Sequence, residues 1–216
     1  MPSSQPPFLL YTTPLSANGR KVLALSRQLG LAPEVQLVNV YRGEGRTPQY
    51  LALNPSGKIP TLVEGAFRLS ESNAILQYLS EAHGDYRLSS RDARQRAAIA
   101  SWLFWESAHW QPALAAVLEA HVGHLLLPRA LPAPAAPPDW RHARLAPLLD
   151  RVEQQLRERP FLAGDEPSLA DFSVGGMTTY FRATGFPFAA FPSLAAWCER
   201  LDALAAWRES ADPLWS

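Results

Sequence analysis

The chain is poor in the features that membrane, secreted and nucleic-acid-binding proteins depend on. Cys198 is its single cysteine, which rules out an internal disulfide and a cysteine-based zinc cluster. No run approaches the ~18 apolar residues of a membrane span. Lys+Arg and Asp+Glu each number 20, so no net field draws nucleic acid or anionic lipid. The opening Met1–Pro7 has no basic segment, and the apolar run Phe8–Tyr11 is too short for a secretory signal. Lysine is scarce as well: Lys21 and Lys58 are the two lysines among 20 basic residues. Against that background a lysine hints that a compact ammonium is wanted at its position. Apolar residues make up 47% and charged residues 19%, enough for a real core and too ordered a composition for a disordered chain. These observations predict a soluble, cytoplasmic globular protein of one large or two small domains. High alanine and arginine beside low lysine suggests a GC-rich bacterial source.

Pattern divides the chain in two. Residues up to about 83 alternate in type. Phe8–Tyr11 reads as a strand, and the next helix carries Val22, Leu25 and Leu29 before Gly30. Val35–Val40 alternates at period two, as a second strand does, and Pro48–Leu53 reads as a short helix. Thr61–Val63 and Phe67–Leu69 flank a Glu64-Gly65 hairpin turn, and Ser72–Ala82 is helical. The order βαβ, then ββα, predicts a small mixed sheet with helices on its faces. Residues 84–90 form the natural linker, and 91–216 read as all helix. Within that half Ala97–Leu127 is one long helical pattern in which Pro112 predicts a kink or break. Leu131–Pro138 is a stiff proline-rich loop, and Ser168-Leu169-Ala170-Asp171 has the form of a capping box.

Four local features of the first half carry chemistry. Ser16-Ala17-Asn18 places a hydroxyl and an amide at a helix N-terminus, where free N–H groups and the macrodipole favour an anion; simple capping explains the same residues. Asn54-Pro55-Ser56-Gly57-Lys58-Ile59-Pro60 leads into a strand, and a cis Ile59–Pro60 bond there would present the Ile59 backbone to an extended peptide; the alternative is a plain loop-to-strand turn. Glu71-Ser72 opens a helix and suits a ligand amine and carboxylate, or caps the helix and nothing more. Lys58 could meet a second carboxylate. Together these describe a pocket for a short acidic peptide bearing a thiolate.

The same residues resemble a known family. The stretch NPSGKIPTLV…LSESNAILQYL, residues 54–79, is similar to the glutathione-binding domain of cytosolic glutathione S-transferases. FLAGDEPSLADF resembles that family's helical domain, so the likeness covers nearly the whole chain. It implies an α/β thioredoxin-like N-terminal domain followed by an all-α domain. It also implies glutathione as co-substrate, no metal, and a homodimer.

Residue by residue, the resemblance implies that Ser16 donates to the glutathione sulfur, as in serine-type theta-like and phi-like classes. Asn18, in Ser-Ala-Asn-Gly, resembles a nu-like segment whose polar residues lie beside the sulfur. Lys58 would meet the glycine carboxylate, Ile59 with cis Pro60 the cysteinyl backbone, and Glu71 with Ser72 the γ-glutamyl group. Tyr11 is the rival hydroxyl, and no cysteine occupies the position used by beta-class members.

For a second substrate, Trp102, Trp105 and His109 on the first long helix are candidate lining residues, although such an aromatic stripe also fits a core. His121 and His124 have metal-ligand spacing without a third ligand. The activity so implied is transfer of glutathione to small hydrophobic electrophiles. Glutathione-dependent reduction of peroxides or disulfides is the alternative, and a non-catalytic binding module the third reading.

Overall fold

The computed structural model describes residues 8–127 and 129–215, so the Met1–Pro7 opening lies outside the described residues. Four short strands, β1 (Leu9–Thr12), β2 (Glu34–Leu37), β3 (Thr61–Glu64) and β4 (Phe67–Leu69), form one sheet in the order β2-β1-β3-β4. β2 runs parallel to β1, with Leu10 opposite Val35. β3 is antiparallel to both neighbours, with Leu62 opposite Leu10 on one side and Leu69 on the other. Leu10 and Leu62 are fully buried and anchor the sheet to the core. β3 and β4 are joined at Gly65-Ala66, where Gly65 takes a φ of 57°. A left-handed residue suits the twist of a tight hairpin, and glycine adopts it at no steric cost.

The second strand departs from expectation. It ends at Leu37, and all four of its residues are exposed, with Leu37 64% accessible. β2 is an edge strand, so alternation in its sequence does not translate into an inward face; Val38, just beyond it, is the residue that turns inward.

Helix α1 (Ala17–Gln28) follows β1, α2 (Pro48–Leu51) precedes the loop into β3, and α3 (Ser72–Tyr78) follows β4 before a π-helical turn over Leu79–His83. The second half holds α4 (Ala93–Trp105), α5 (Gln111–Leu126), α6 (Ala146–Glu158), α7 (Leu169–Thr178), α8 (Pro192–Ala203) and α9 (Ala205–Arg208). Asp92 caps α4 by accepting the Gln95 N–H at 2.8 Å. α4 and α5 are one rod interrupted by a π-helical turn, Glu106–Trp110, just before Pro112. Proline lacks the donor for the carbonyl four residues back and collides with it, and the widened turn relieves that conflict. No helix among the described residues is long and apolar enough to cross a membrane.

The α7 capping box forms as the sequence predicts, but Asp171 does more than cap. Its carboxylate accepts the Ser168 N–H and hydroxyl at 2.9 and 3.0 Å, the Leu162 N–H at 2.9 Å and the Trp197 indole N–H at 2.9 Å. It therefore joins α7 to α8 and to the preceding loop. Burial pushes its carboxyl above the usual range, and these four donors oppose that rise.

α1 has no solvated face of the ordinary kind. The sheet and α3 cover one side, and α7 and α9 cover the other, so Arg20 and Lys21 are buried with Val22 and Leu25. Lys21 is fully enclosed, and its ammonium meets Glu106 Oε2 at 3.3 Å and Asn73 Oδ1 at 2.9 Å. Asn73 donates to Glu106 at 2.8 Å, and Ser173 donates to Asn73 at 2.8 Å. Four elements thus meet in one polar cluster inside an apolar interface. A buried charge stripped of its partner is strongly destabilising, by about 3–5 kcal/mol, whereas an apolar pair can replace both with little loss. Lys21→Met is therefore expected to lower unfolding stability by about 3–5 kcal/mol. Adding Glu106→Leu should recover at least half of that. Urea unfolding of the single and double variants measures it, and additive losses would contradict the pairing.

Candidate active site

The site is built from the turn after β1. Ser16, in extended conformation, caps α1 by accepting the Gly19 N–H at 3.3 Å. That bond uses an oxygen lone pair, and the hydroxyl proton has no acceptor among the described residues. Gly19 is required by close approach: a Cβ there would lie 2.3 Å from Thr12 Oγ1 and 2.4 Å from the Thr13 carbonyl. The first turn of α1 is gripped from the other half of the protein. The Tyr180 hydroxyl, just past α7, accepts the Ala17 N–H at 2.9 Å and donates to the Leu15 carbonyl at 3.2 Å. These bonds bracket Ser16 on both sides.

Asn18 is the second residue of α1. Its Oδ1 accepts the Ser72 hydroxyl at 3.1 Å, which joins the starts of α1 and α3 and leaves the Asn18 amide N–H₂ without an acceptor among the described residues. Glu71, beside Ser72, has φ 68° and ψ 107°. A non-glycine residue held there stores about 1–3 kcal/mol of strain, a feature that clusters at ligand clamps.

The loop from residue 54 to residue 60 is braced from within. Asn54 donates to the Lys58 carbonyl at 2.8 Å and to Thr61 Oγ1 at 3.0 Å, and its own oxygen accepts the Ser56 N–H and hydroxyl. The Tyr50 hydroxyl adds a second bond to the Lys58 carbonyl at 2.7 Å. Gly57, at φ 66°, lets this loop pass the Gly45 carbonyl, which a Cβ would approach to 2.7 Å. The Ile59–Pro60 bond is cis. The Ile59 backbone N–H and carbonyl have no partner among the described residues, and the Lys58 side chain is exposed.

Two cavities open onto the start of α1. One, about 310 Å³, is polar and is lined by Asn18, Lys58, Ile59, Pro60, Glu71 and Ser72, with Gln111 and Ala115 from α5. The other, about 460 Å³, is mainly apolar: Ser16, Tyr41, Leu118, Val122, Met177 and Tyr180 contribute to its wall. Asn18, Gln111 and Ala115 border both. The structure therefore brings Lys58, Ile59, Pro60, Glu71, Ser72 and Asn18 around one space, and Ser16 onto the neighbouring one. An anion at the junction would lie at the N-terminus of α1, where the macrodipole is positive. The Tyr41 phenol is pushed upward by burial, opposed by its hydrogen bond with Tyr180.

The structure does not bring Trp102, Trp105 or His109 to either cavity. Trp102 and Trp105 are buried in the core, stacked edge to face at 5.1 Å, with the Arg151 guanidinium 4.9 Å from each ring. His109 is exposed in the π-helical turn. The extra residue of that turn rotates the rest of the rod, so it is α5 that faces the cleft, through Gln111, Ala115, Leu118 and Val122. Those positions form a single helical stripe, but in sequence the stripe is indistinguishable from core packing. Tyr11 packs edge-on against Tyr50 at 5.9 Å and lines neither cavity. His121 and His124 donate to the Ala136 and Leu131 carbonyls at 2.9 and 2.8 Å, pinning the proline-rich loop against α5.

Comparison with known proteins bears on the family and the fold. The family model "Glutathione S-transferase, N-terminal domain" matches residues 10–87, and "Glutathione S-transferase, C-terminal domain" matches residues 93–210. Glutathione S-transferase 3 of Zea mays is 34% identical over 209 residues, covering 94% of this chain and 93% of its own. Glutathione S-transferase F10 of Arabidopsis thaliana is 31% identical, covering 91% and 93%. The solved structure of the Bombyx mori glutathione transferase BmGSTD1 superposes with a TM-score of 0.83 at 28% identity, covering 98% of this chain and 95% of that one.

Removing the Tyr180 hydroxyl leaves the Ala17 N–H unpaired at a buried position, a loss of about 1–2 kcal/mol. Tyr180→Phe is expected to speed hydrogen exchange at the Ala17 amide about tenfold while amides near the middle of α6 stay protected. An unchanged Ala17 rate would show that Tyr180 does not hold this turn.

Proposed function

The chain belongs to the glutathione S-transferase family, and from that membership we propose that it binds glutathione in the polar cavity, lowers the pKa of its thiol, and directs the thiolate at small hydrophobic electrophiles in the apolar one. The observation that carries this reading is the meeting of two chemically different cavities at one helix N-terminus. A bound tripeptide would place its γ-glutamyl carboxylate at Ser72, its amine at Glu71, its cysteinyl backbone on Ile59 and its glycine carboxylate near Lys58. Its sulfur would then fall between Ser16 and Asn18. Both residues have unused donors, the Ser16 hydroxyl proton and the Asn18 amide.

A free thiol titrates near ~8.5, so a small minority is ionised at neutral pH. Lowering the pKa by two units takes about 2.7 kcal/mol, within reach of one charge-assisted hydrogen bond acting with a helix dipole. The proton leaves to solvent and the sulfur lone pair forms the new bond. With chlorodinitrobenzene as electrophile a C–S bond forms, the C–Cl bond breaks and chloride departs. Leu118, Val122 and Met177 offer such a ring an apolar wall.

The second reading, reduction of peroxides or disulfides by the same thiolate, is favoured by Asn18. Its amide borders both cavities and could hold a sulfur without help from Ser16. Ser16→Ala separates the two. In the transferase reading kcat for chlorodinitrobenzene falls about 10- to 100-fold, the worth of one hydrogen bond to a charged group, with KM for glutathione little changed. Wild-type protein that turns over peroxide or disulfide but not chlorodinitrobenzene would favour the second reading. No turnover of either would favour a binding module.

The proposal includes a homodimer. Its support is the family membership; Phe104 on α4, 72% exposed, is the most exposed large apolar side chain among the described residues and serves as the probe position. Phe104→Arg is expected to shift sedimentation from dimer to monomer. A wild-type chain that sediments as a monomer would overturn this part of the proposal.

A further inference from the structure

The two cavities of the cleft differ in charge as well as in polarity. The polar one is bordered by a cation and an anion, Lys58 and Glu71. The apolar one has no basic residue in its wall among the described residues, and its one carboxylate there is Glu119 of α5. Gln111 and Ala115 border both cavities, whereas Glu119, one turn beyond Ala115, borders the apolar one alone. It stands roughly 12 Å along the helix axis from Gln111. Its carboxylate has neither an ion pair nor a hydrogen bond among the described residues. An intrahelical partner would stand three or four positions away, and those positions hold Ala115, Ala116, Val122 and Gly123. The other elements of the wall bring Tyr41, Leu131 and Met177, none of them a cation.

A charge between apolar walls is felt more strongly than the same charge on an open surface, because side chains of low polarisability replace water and concentrate its field in the cleft. Leu118, Val122, Leu131 and Met177 supply such walls. In the reading proposed above, the glutathione thiolate would bring a second negative charge to the junction of the cavities. A second substrate carrying a carboxylate would then face two like charges and no cation. Lys58 would not relieve it, because Lys58 borders the polar cavity alone. A substrate carrying an ammonium would instead find in Glu119 an acceptor of opposite charge, away from the reacting carbon.

We infer that Glu119 selects the charge of the second substrate, and that the class this chain takes best is an aromatic electrophile with a cationic group remote from its reacting carbon. The inference rests on the transferase reading and adds the substrate class to it. The reaction itself is unchanged: the thiol proton leaves to solvent, the C–S bond forms, the C–Cl bond breaks, chloride departs and the ammonium keeps its protons. The test uses three chloronitrobenzenes that carry an aminomethyl, a carboxamide or a carboxylate group para to the chlorine. They present a cation, a neutral group and an anion on one reacting centre. kcat/KM is measured for wild type, Glu119→Gln and Glu119→Lys, and comparison with wild type cancels the intrinsic reactivity of each compound. Glu119 is exposed, so neither change disturbs the core. The ratio of cation to anion kcat/KM is expected to fall about fivefold in Glu119→Gln. In Glu119→Lys it should fall at least about twentyfold, because charge reversal acts on the two compounds with opposite sign. The carboxamide, which has no charge to be read, reports any general loss of activity. A ratio that does not change in Glu119→Lys would overturn the inference and leave the transferase reading standing. So would an equal fall in Glu158→Lys, a reversal on α6 outside both cavities. Wild-type protein that does not turn over the carboxamide would count against the transferase reading instead. The ammonium and carboxylate compounds are then compared as ligands by calorimetry with glutathione present, and a ratio of their affinities that is the same in wild type and Glu119→Lys would overturn the inference.

Discussion

The arrangement depends on how α1 is held. A helix sandwiched between a sheet and a helical bundle would ordinarily be apolar all round. α1 instead brings Arg20 and Lys21 into its buried faces and offers its first turn to Tyr180. Several polar contacts cross from the α/β half to the helical half: Tyr180 to Leu15 and Ala17, Thr179 and Trp207 to Arg20, Glu106 and Ser173 to the Lys21–Asn73 pair. Apolar burial could hold the two halves together, but it is non-directional. The hydrogen bonds fix the angle and depth at which α1 enters the interface, and thereby the place where Ser16 and Asn18 stand relative to α5.

That placement accounts for the division of the cleft. The α/β half contributes the polar groups, in loops whose shape is set by Asn54, Tyr50 and the cis Ile59–Pro60 bond. The helical half contributes the apolar wall through α5 and Met177. The break in the rod before Pro112 is what lets one stripe of α4 serve the core while one stripe of α5 faces the cleft. A straight helix would have presented a single face to both. Arg20, one residue from Lys21, is held by Thr179, Ser210 and the Trp207 carbonyl of the helical half.

Much of this was visible in the sequence because it is local. The caps at Ser16 and Ser168, the hairpin at Gly65 and the Asn54–Pro60 loop are each set by neighbours within a few residues, and each forms. What depended on distant partners was not visible. Exposure of β2 follows from its place at the sheet edge, which no pattern in Val35–Val40 reveals. Trp102 and Trp105 were candidates for the cleft because helical spacing shows which residues share a face and not what the face meets. Asp171 looked like a cap alone, and its bonds to Leu162 and Trp197 come from a turn and a helix that the motif does not contain. The scarcity of lysine did point at something: Lys21 is the fully buried cation, and a compact ammonium is what the space between Asn73 and Glu106 admits.

The central claim is that the start of α1 stabilises a sulfur anion. The most direct measurement is the ultraviolet thiolate band of enzyme-bound glutathione, titrated against pH. The account predicts half-ionisation at least about one pH unit below the ~8.5 of a free thiol. Bound glutathione whose thiolate band rises at the same pH as in free solution would contradict it.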